Sequence, residues 1–117
     1  MYTVVISDYA NTQDTVLIEA IRQNIDRLCP AFVPQNVMFA VGYIWGKDVK
    51  PLLSPLQGAQ SFDVIICADL IFNRSEHEKL LQTIQQCLSD QGVAFIAYGH
   101  HDPEKADQDM RFFALGR

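Results

Sequence analysis

The sequence predicts an α/β protein built on a parallel sheet, and three observations carry that prediction. Four short runs, at 3–7, 37–41, 63–68 and 93–98, are apolar or β-branched almost throughout. Helix-period apolar stripes lie between the first and second runs and between the third and fourth. Strands that are apolar on both faces and separated by helices belong to parallel sheets covered on both sides. The order is β-α-β, a looser stretch, then β-α-β.

Thr3-Val4-Val5-Ile6-Ser7 opens the chain as a buried strand. Asn11 or Thr12 can cap the helix that follows. Leu17, Ile21, Ile25 and Leu28 form its apolar stripe, and Pro30 ends it. Val37 to Val41 is the second strand, closed by Gly42. Tyr43 to Ser61 is broken by Gly46, Pro51, Pro55 and Gly58. Asp63 to Ala68 is the third strand and Ser75 to Ser89 the second long helix. Ser75 and Glu78 there match the S-x-x-E capping box, and Leu80, Leu81, Ile84, Cys87 and Leu88 make its stripe. Gly92 sits where the chain turns into Val93 to Tyr98. Asp107 to Leu115 begins a further helical pattern with Met110, Phe113 and Ala114 on one side. It lasts about two turns, short of the length at which a helix stands alone.

With 117 residues, the chain fits one domain over 1–117. Folding at this size buries roughly two-thirds of the unfolded surface, enough for a core without staples. Apolar residues are 49% and charged residues 20%, a globular balance. The net charge of −5 excludes a general nucleic-acid binder, which needs a basic face for phosphates, and disfavours an anionic membrane surface. Cys29, Cys67 and Cys87 are odd in number and include no C-x-x-C pair, so a disulfide framework is not expected. No 18-residue apolar stretch is present, and Val4-Val5-Ile6 meets Asp8 too soon for a signal peptide. A cytoplasmic protein is the expectation.

Ligands of open parallel sheets bind beyond the carboxyl ends of the strands. Those ends carry Asp8-Tyr9, Gly42-Tyr43-Ile44-Trp45-Gly46, Ala68-Asp69-Leu70-Ile71-Phe72-Asn73 and Gly99-His100-His101-Asp102. A carboxylate there can accept two hydrogen bonds from a ribose diol, and an indole offers a flat wall to an adenine. Each residue also has a plainer reading. Asp8 can cap its own turn, Trp45 can be packing, and Asp69 and Asn73 can be turn and cap residues ahead of the Ser75 helix. His77, in the first turn of that helix, is expected to be exposed and idle. A phospho-acceptor receiver domain needs paired acids and a lysine after the last strand. Here Ser7 and Tyr9 flank Asp8, and no lysine follows Tyr98 until Lys105. His100 and His101 are adjacent and point opposite ways in an extended segment, so no metal site is expected. The serines lack a Ser/His/Asp context.

Asp8-Tyr9, Val41-Gly42-Tyr43-Ile44-Trp45-Gly46 and Ala68-Asp69-Leu70-Ile71-Phe72-Asn73-Arg74-Ser75-Glu76-His77 together resemble the seven-strand, class I S-adenosylmethionine-dependent methyltransferases. More narrowly they resemble the fungal nicotinamide N-methyltransferase-like group, the protein N-terminal and lysine methyltransferases. Gly99-His100-His101 before a proline, and Asp109-Met110-Arg111-Phe112-Phe113, are similar to that group too. The resemblance implies a Rossmann-like sheet and S-adenosylmethionine as methyl donor. The acceptor it implies is an amine of a protein or of a small molecule such as nicotinamide. By position it makes Asp8 the acid holding the donor's ribose, Trp45 the indole lining the donor site and Ala68 a strand-end donor contact. Asp69 and Phe72 become the Asp-x-x-Tyr/Phe element facing the amine. Such a site works mainly by alignment of a deprotonated amine with the methyl sulfonium. A carboxylate and an aromatic face both favour a cationic donor or amine.

The family's glycine-rich turn after its first strand has no counterpart here, since no G-x-G occurs. The match begins at the family's second strand, so a partial methyltransferase fold lacking the glycine-rich first strand is expected. In the family's strand order, 3-2-1-4-5-7-6, that absent strand separates Thr3–Ser7 from Asp63–Ala68 and leaves a gap of about 10 Å. Either the two strands pair directly or another chain fills the gap, which makes self-association through the sheet the expected partner mode. A non-catalytic remnant or interaction module of the same fold is the alternative reading.

Overall fold

The computed structural model describes residues 3–10, 13–29, 31, 34, 37–68, 74–99 and 103–116. They fall into two compact units, Met1–Ala59 and Gln60–Arg117.

In the first unit, strands β1 (Val4–Asp8) and β2 (Met38–Gly42) run parallel, paired from Val4↔Met38 to Asp8↔Gly42. Helix α1 (Val16–Leu28) joins them and packs on both. It starts later than Asn11 or Thr12, which lie outside the described residues. Thr15 holds the N-cap position without a side-chain bond, and the Val16 amide donates to Asp14 Oδ1 at 3.3 Å. Cys29 turns extended just ahead of Pro30, as a residue before proline must. The buried stripe keeps Ile25 of the expected one but takes Ile18 in place of Leu17, and Leu28 is 38% exposed. Ile18 and Ile25 are in the core, whereas Leu17 is 51% exposed. Leu17 and Ile18 differ by about 100° around the helix, and apolar residues at both positions left the sequence unable to choose. The looser stretch contains one short helix, α2 (Lys50–Leu53), started by Asp48 Oδ1 accepting from the Lys50 amide at 3.0 Å, with Leu52 buried beneath it.

In the second unit β3 (Phe62–Ala68) and β4 (Leu88–Ala97) are again parallel. Helix α3 (His77–Cys87) crosses between them, and α4 (Ala106–Leu115) packs on α3. The expected capping box does not form. Ser75 sits inside a 3₁₀ turn, Arg74–Glu76, and Glu76 takes the N-cap position with no side-chain cap bond. Glu76 instead pairs with Lys79 at 3.1 Å. The helix also ends two residues early, because Leu88 is extended and already pairs with Phe62. The next pair is Val64↔Val93, so 89–92 bulge out of the ladder. Gly92 permits the bulge: a Cβ there would lie 2.9 Å from the Asp63 carbonyl oxygen and 2.7 Å from Leu88 Cδ1.

Cys67, Leu80, Ile84, Cys87 and Phe112 form the second unit's core. The short final pattern is a full helix, but Met110 is exposed while Asp109 and Phe112 face inward. His77 is not idle either. It is 3% exposed and meets the Phe112 ring T-shaped. The expectation of strands covered on both faces is corrected here. Val64, Ile66, Val93 and Phe95 are 54%, 72%, 52% and 56% exposed, and their register puts them on one face. A single crossover helix can cover only one side of a two-stranded ladder, and the covered side carries Cys67. Among the described residues, each strand has one ladder partner.

Candidate functional site

The first unit gathers its chemistry at the carboxyl end of the β1–β2 ladder. Asp8 is the last residue of β1, opposite Gly42, and its side chain is exposed. Asp8 Oδ1 accepts from the Tyr9 amide at 2.7 Å, while the Asp8 carbonyl accepts from the Tyr43 amide at 3.0 Å. The carboxylate is thus fixed in place by its own turn, as the plainer reading had it, and still lies on the surface at the strand end where a ligand would meet it.

Trp45 follows three residues after β2, in a turn closed by the Lys47 amide donating to the Ile44 carbonyl at 3.1 Å. Gly46 has φ 86°, which side chains other than glycine's rarely adopt, so the Trp-Gly pair is a turn requirement as well as a motif. The indole is half-buried. Part of the ring therefore stays accessible, as a wall for a stacking base must.

Two features here escaped the sequence reading. Tyr43 is 7% exposed, and its hydroxyl donates to the Lys47 carbonyl across the Trp45 turn. Its signal was a tyrosine two residues before a Trp-Gly pair, since a buried phenol needs an acceptor. Gly42 reads as a strand terminator, yet its role is close approach. A Cβ there would lie 2.4 Å from the Ala10 Cβ, so the segment after Asp8 crosses directly over this residue.

Ala68 closes β3 in the second unit, opposite Ala97, and is exposed. Asp69 and Phe72, the expected amine-facing pair, lie outside the described residues, as do His100 and His101. The structure therefore brings Asp8 and Trp45 to one ladder end and puts Ala68 at the corresponding end of the other ladder. A cleft of about 250 Å³ in the second unit is lined by Ser75, His77, Glu78, Gln108, Arg111 and Leu115, with an acid and a base in the same wall. Burial pushes the Cys67 and Cys87 thiols up, away from the reactive thiolate. Among the described residues no three His, Cys, Asp or Glu side chains group as a metal site, and no helix is long and apolar enough to cross a membrane.

Comparison with known proteins bears on this arrangement. Residues 1–115 match a family described as lysine methyltransferase. The protein N-terminal and lysine N-methyltransferase EFM7 of Candida glabrata is 38% identical over 109 residues, covering 93% of this chain and 41% of that protein. The proteins of the same name from Gibberella zeae and Schizosaccharomyces pombe are 32% and 30% identical, covering 99% and 97% of this chain and 47% and 44% of theirs. The chain thus spans less than half the length of these curated relatives.

Proposed function

Because the chain belongs to the lysine methyltransferase family of class I S-adenosylmethionine-dependent enzymes, we propose that it serves methyl transfer to a protein amine, a lysine side chain or an N-terminus. The observation that carries the proposal is the pairing of Asp8 with the Trp45 turn at one ladder end. A surface carboxylate and a half-buried indole are the donor set that a ribose diol and an adenine require. In this reading Asp8 takes the diol and Trp45 walls the base, while Ala68 is a donor contact by family position alone. The fit covers the nucleoside half of the donor, as no G-x-G turn occurs in this sequence.

S-adenosylmethionine, when bound, supplies an electrophilic methyl on a sulfonium. The chain's own part is to align the acceptor, which must arrive deprotonated so that its lone pair is available. Asp69 and Phe72 take that task by family position: the carboxylate orients the amine and the aromatic face favours its cationic surroundings. The three cysteines are free, which supports a cytoplasmic setting. Trp45 is the chain's single tryptophan, so a donor titration followed by its fluorescence tests the reading directly. Saturable quenching that is weakened in Asp8→Asn supports it. An unchanged spectrum at millimolar donor rejects it.

One observation favours a second reading, an interaction module. The row Val64, Ile66, Val93 and Phe95 is apolar and exposed on a ladder of two strands. Its occupant in this reading is a second copy of the chain, since among the described residues the ladder has two strands, whose outer edges another strand can extend. Sedimentation of the chain and of Ile66→Asp decides: a dimer dispersed by the substitution supports self-association, and a monomer in both excludes it.

A further inference from the structure

We propose that Tyr43 is a positioning residue that sets the donor wall, tying the Asp8 strand end and the Trp45 turn into one piece. The inference rests on the donor reading of Asp8 and Trp45 given above. Tyr43 is the first residue beyond β2, and its amide donates to the Asp8 carbonyl at 3.0 Å, extending the ladder one step past its last pair. The side chain then turns inward, and its hydroxyl donates to the Lys47 carbonyl four residues on. Lys47 is consequently held at both its polar main-chain groups. Its amide goes to Ile44 at 3.1 Å and its carbonyl to Tyr43.

The Ile44–Lys47 bond encloses Trp45 and Gly46, and the Tyr43–Lys47 bond encloses Ile44 as well. Gly46, at φ 86°, is the most permissive residue the turn could contain. The Tyr43 bond spans that residue and limits its latitude just where the indole must keep its place. Packing alone does not explain it, because phenylalanine would fill the same space with no hydroxyl to satisfy. The Lys47 carbonyl lies on an exposed residue and water could serve it equally well. What water cannot do is join that carbonyl to the strand that ends at Asp8. The consequence of the bond is therefore geometric, and its loss should show in Trp45 before it shows in stability.

The test is Tyr43→Phe in the full chain, read first without any donor. Acrylamide quenching and fluorescence anisotropy of Trp45 should reveal a looser indole, with quenching raised about twofold, while the thermal midpoint moves little. Gly46→Ala, which strains the same turn and keeps the hydroxyl, should shift the same signals even if Tyr43→Phe folds poorly. Unchanged Trp45 signals in Tyr43→Phe overturn the tie. Titration with S-adenosylmethionine comes second, where Tyr43→Phe should weaken binding about tenfold, the equivalent of one hydrogen bond. Equal affinity in wild type and Tyr43→Phe overturns the positioning role. A wild-type chain that binds no donor removes the donor reading and this role with it, whereas the tie is judged on the donor-free signals alone.

Discussion

The rings of His77 and Phe112 meet T-shaped, centroids 5.4 Å apart and planes at 75°, and so join α3 to α4. Phe112 in turn meets Phe113 edge-on at 5.5 Å, and Phe113 lies 5.4 Å from Tyr98 just past β4. A chain of four rings therefore connects the two helices and the end of β4. Edge-on pairs of this kind add about 0.5–1.5 kcal/mol each beyond the area they bury. Phe112→Ala should cost about 3–5 kcal/mol in urea unfolding. Phe112→Leu, which keeps most of the volume, should cost far less. Equal losses in the two would mean that the ring itself, and not the volume it fills, is what Phe112 provides.

Gly42→Ala should destabilise by about 1–3 kcal/mol, since its methyl would fall 2.4 Å from the Ala10 Cβ and push the segment after Asp8 off the ladder. Gly92→Ala should do the same against the Asp63 carbonyl. Gly99→Ala, whose methyl meets nothing within 4 Å, should stay within about 0.5 kcal/mol. Thermal or urea unfolding of the three side by side separates close approach from generic loss of glycine.

Burial raises the Cys67 and Cys87 thiols, so the folded chain holds their protons longer than the unfolded chain does. The stabilising contribution is full below the unfolded thiol value of about 8.5 and fades as pH climbs through the raised folded value. Stability measured from pH 7 to 10 should fall above about pH 8.5, and Cys67→Ala with Cys87→Ala should flatten that decline. At pH 7.5 iodoacetamide should label Cys29 first, with Cys67 and Cys87 protected until the chain unfolds. Equal labelling of all three would contradict the buried placement.

Asp8→Asn keeps the shape of the strand end and removes its charge. Charge-assisted hydrogen bonds contribute about 1.5–3 kcal/mol, so donor affinity should fall about ten- to a hundredfold by calorimetry. Far-ultraviolet circular dichroism should not change, because the bond from the Tyr9 amide has an oxygen to accept it in either side chain.

For Asp69→Ala the expectation differs. Donor binding should persist while methyl transfer to a lysine peptide falls about a hundredfold or more, the size of effect that misalignment of a reacting group produces. Loss of donor binding instead would move Asp69 to the donor side of the site.

The strands were legible because runs of apolar and β-branched residues separated by a helix pattern declare parallel strands without outside help, although they do not say which face is covered. Asp8 and Ala68 end their strands where the sequence put them, and the Trp45-Gly46 turn follows β2. Helix boundaries and stripes were less so. Leu17 against Ile18 is a choice between adjacent apolar residues, and only the ladder beneath α1 makes it. The Ser75–Glu78 box is a local option that lost to a 3₁₀ turn.

By itself, the sequence determined the α/β class and the parallel strands, because both depend on residue type and local spacing, and its motifs carried the resemblance to the family that the chain matches. Asp8 and Trp45 it offered as candidates at the strand ends. Tertiary structure decided that His77 is core, that Gly42 and Gly92 mark close approaches, and that Tyr43 reaches forward to Lys47. Those depend on which atoms meet once the chain crosses itself. A histidine, a glycine or a tyrosine carries no mark of that meeting in its own neighbourhood.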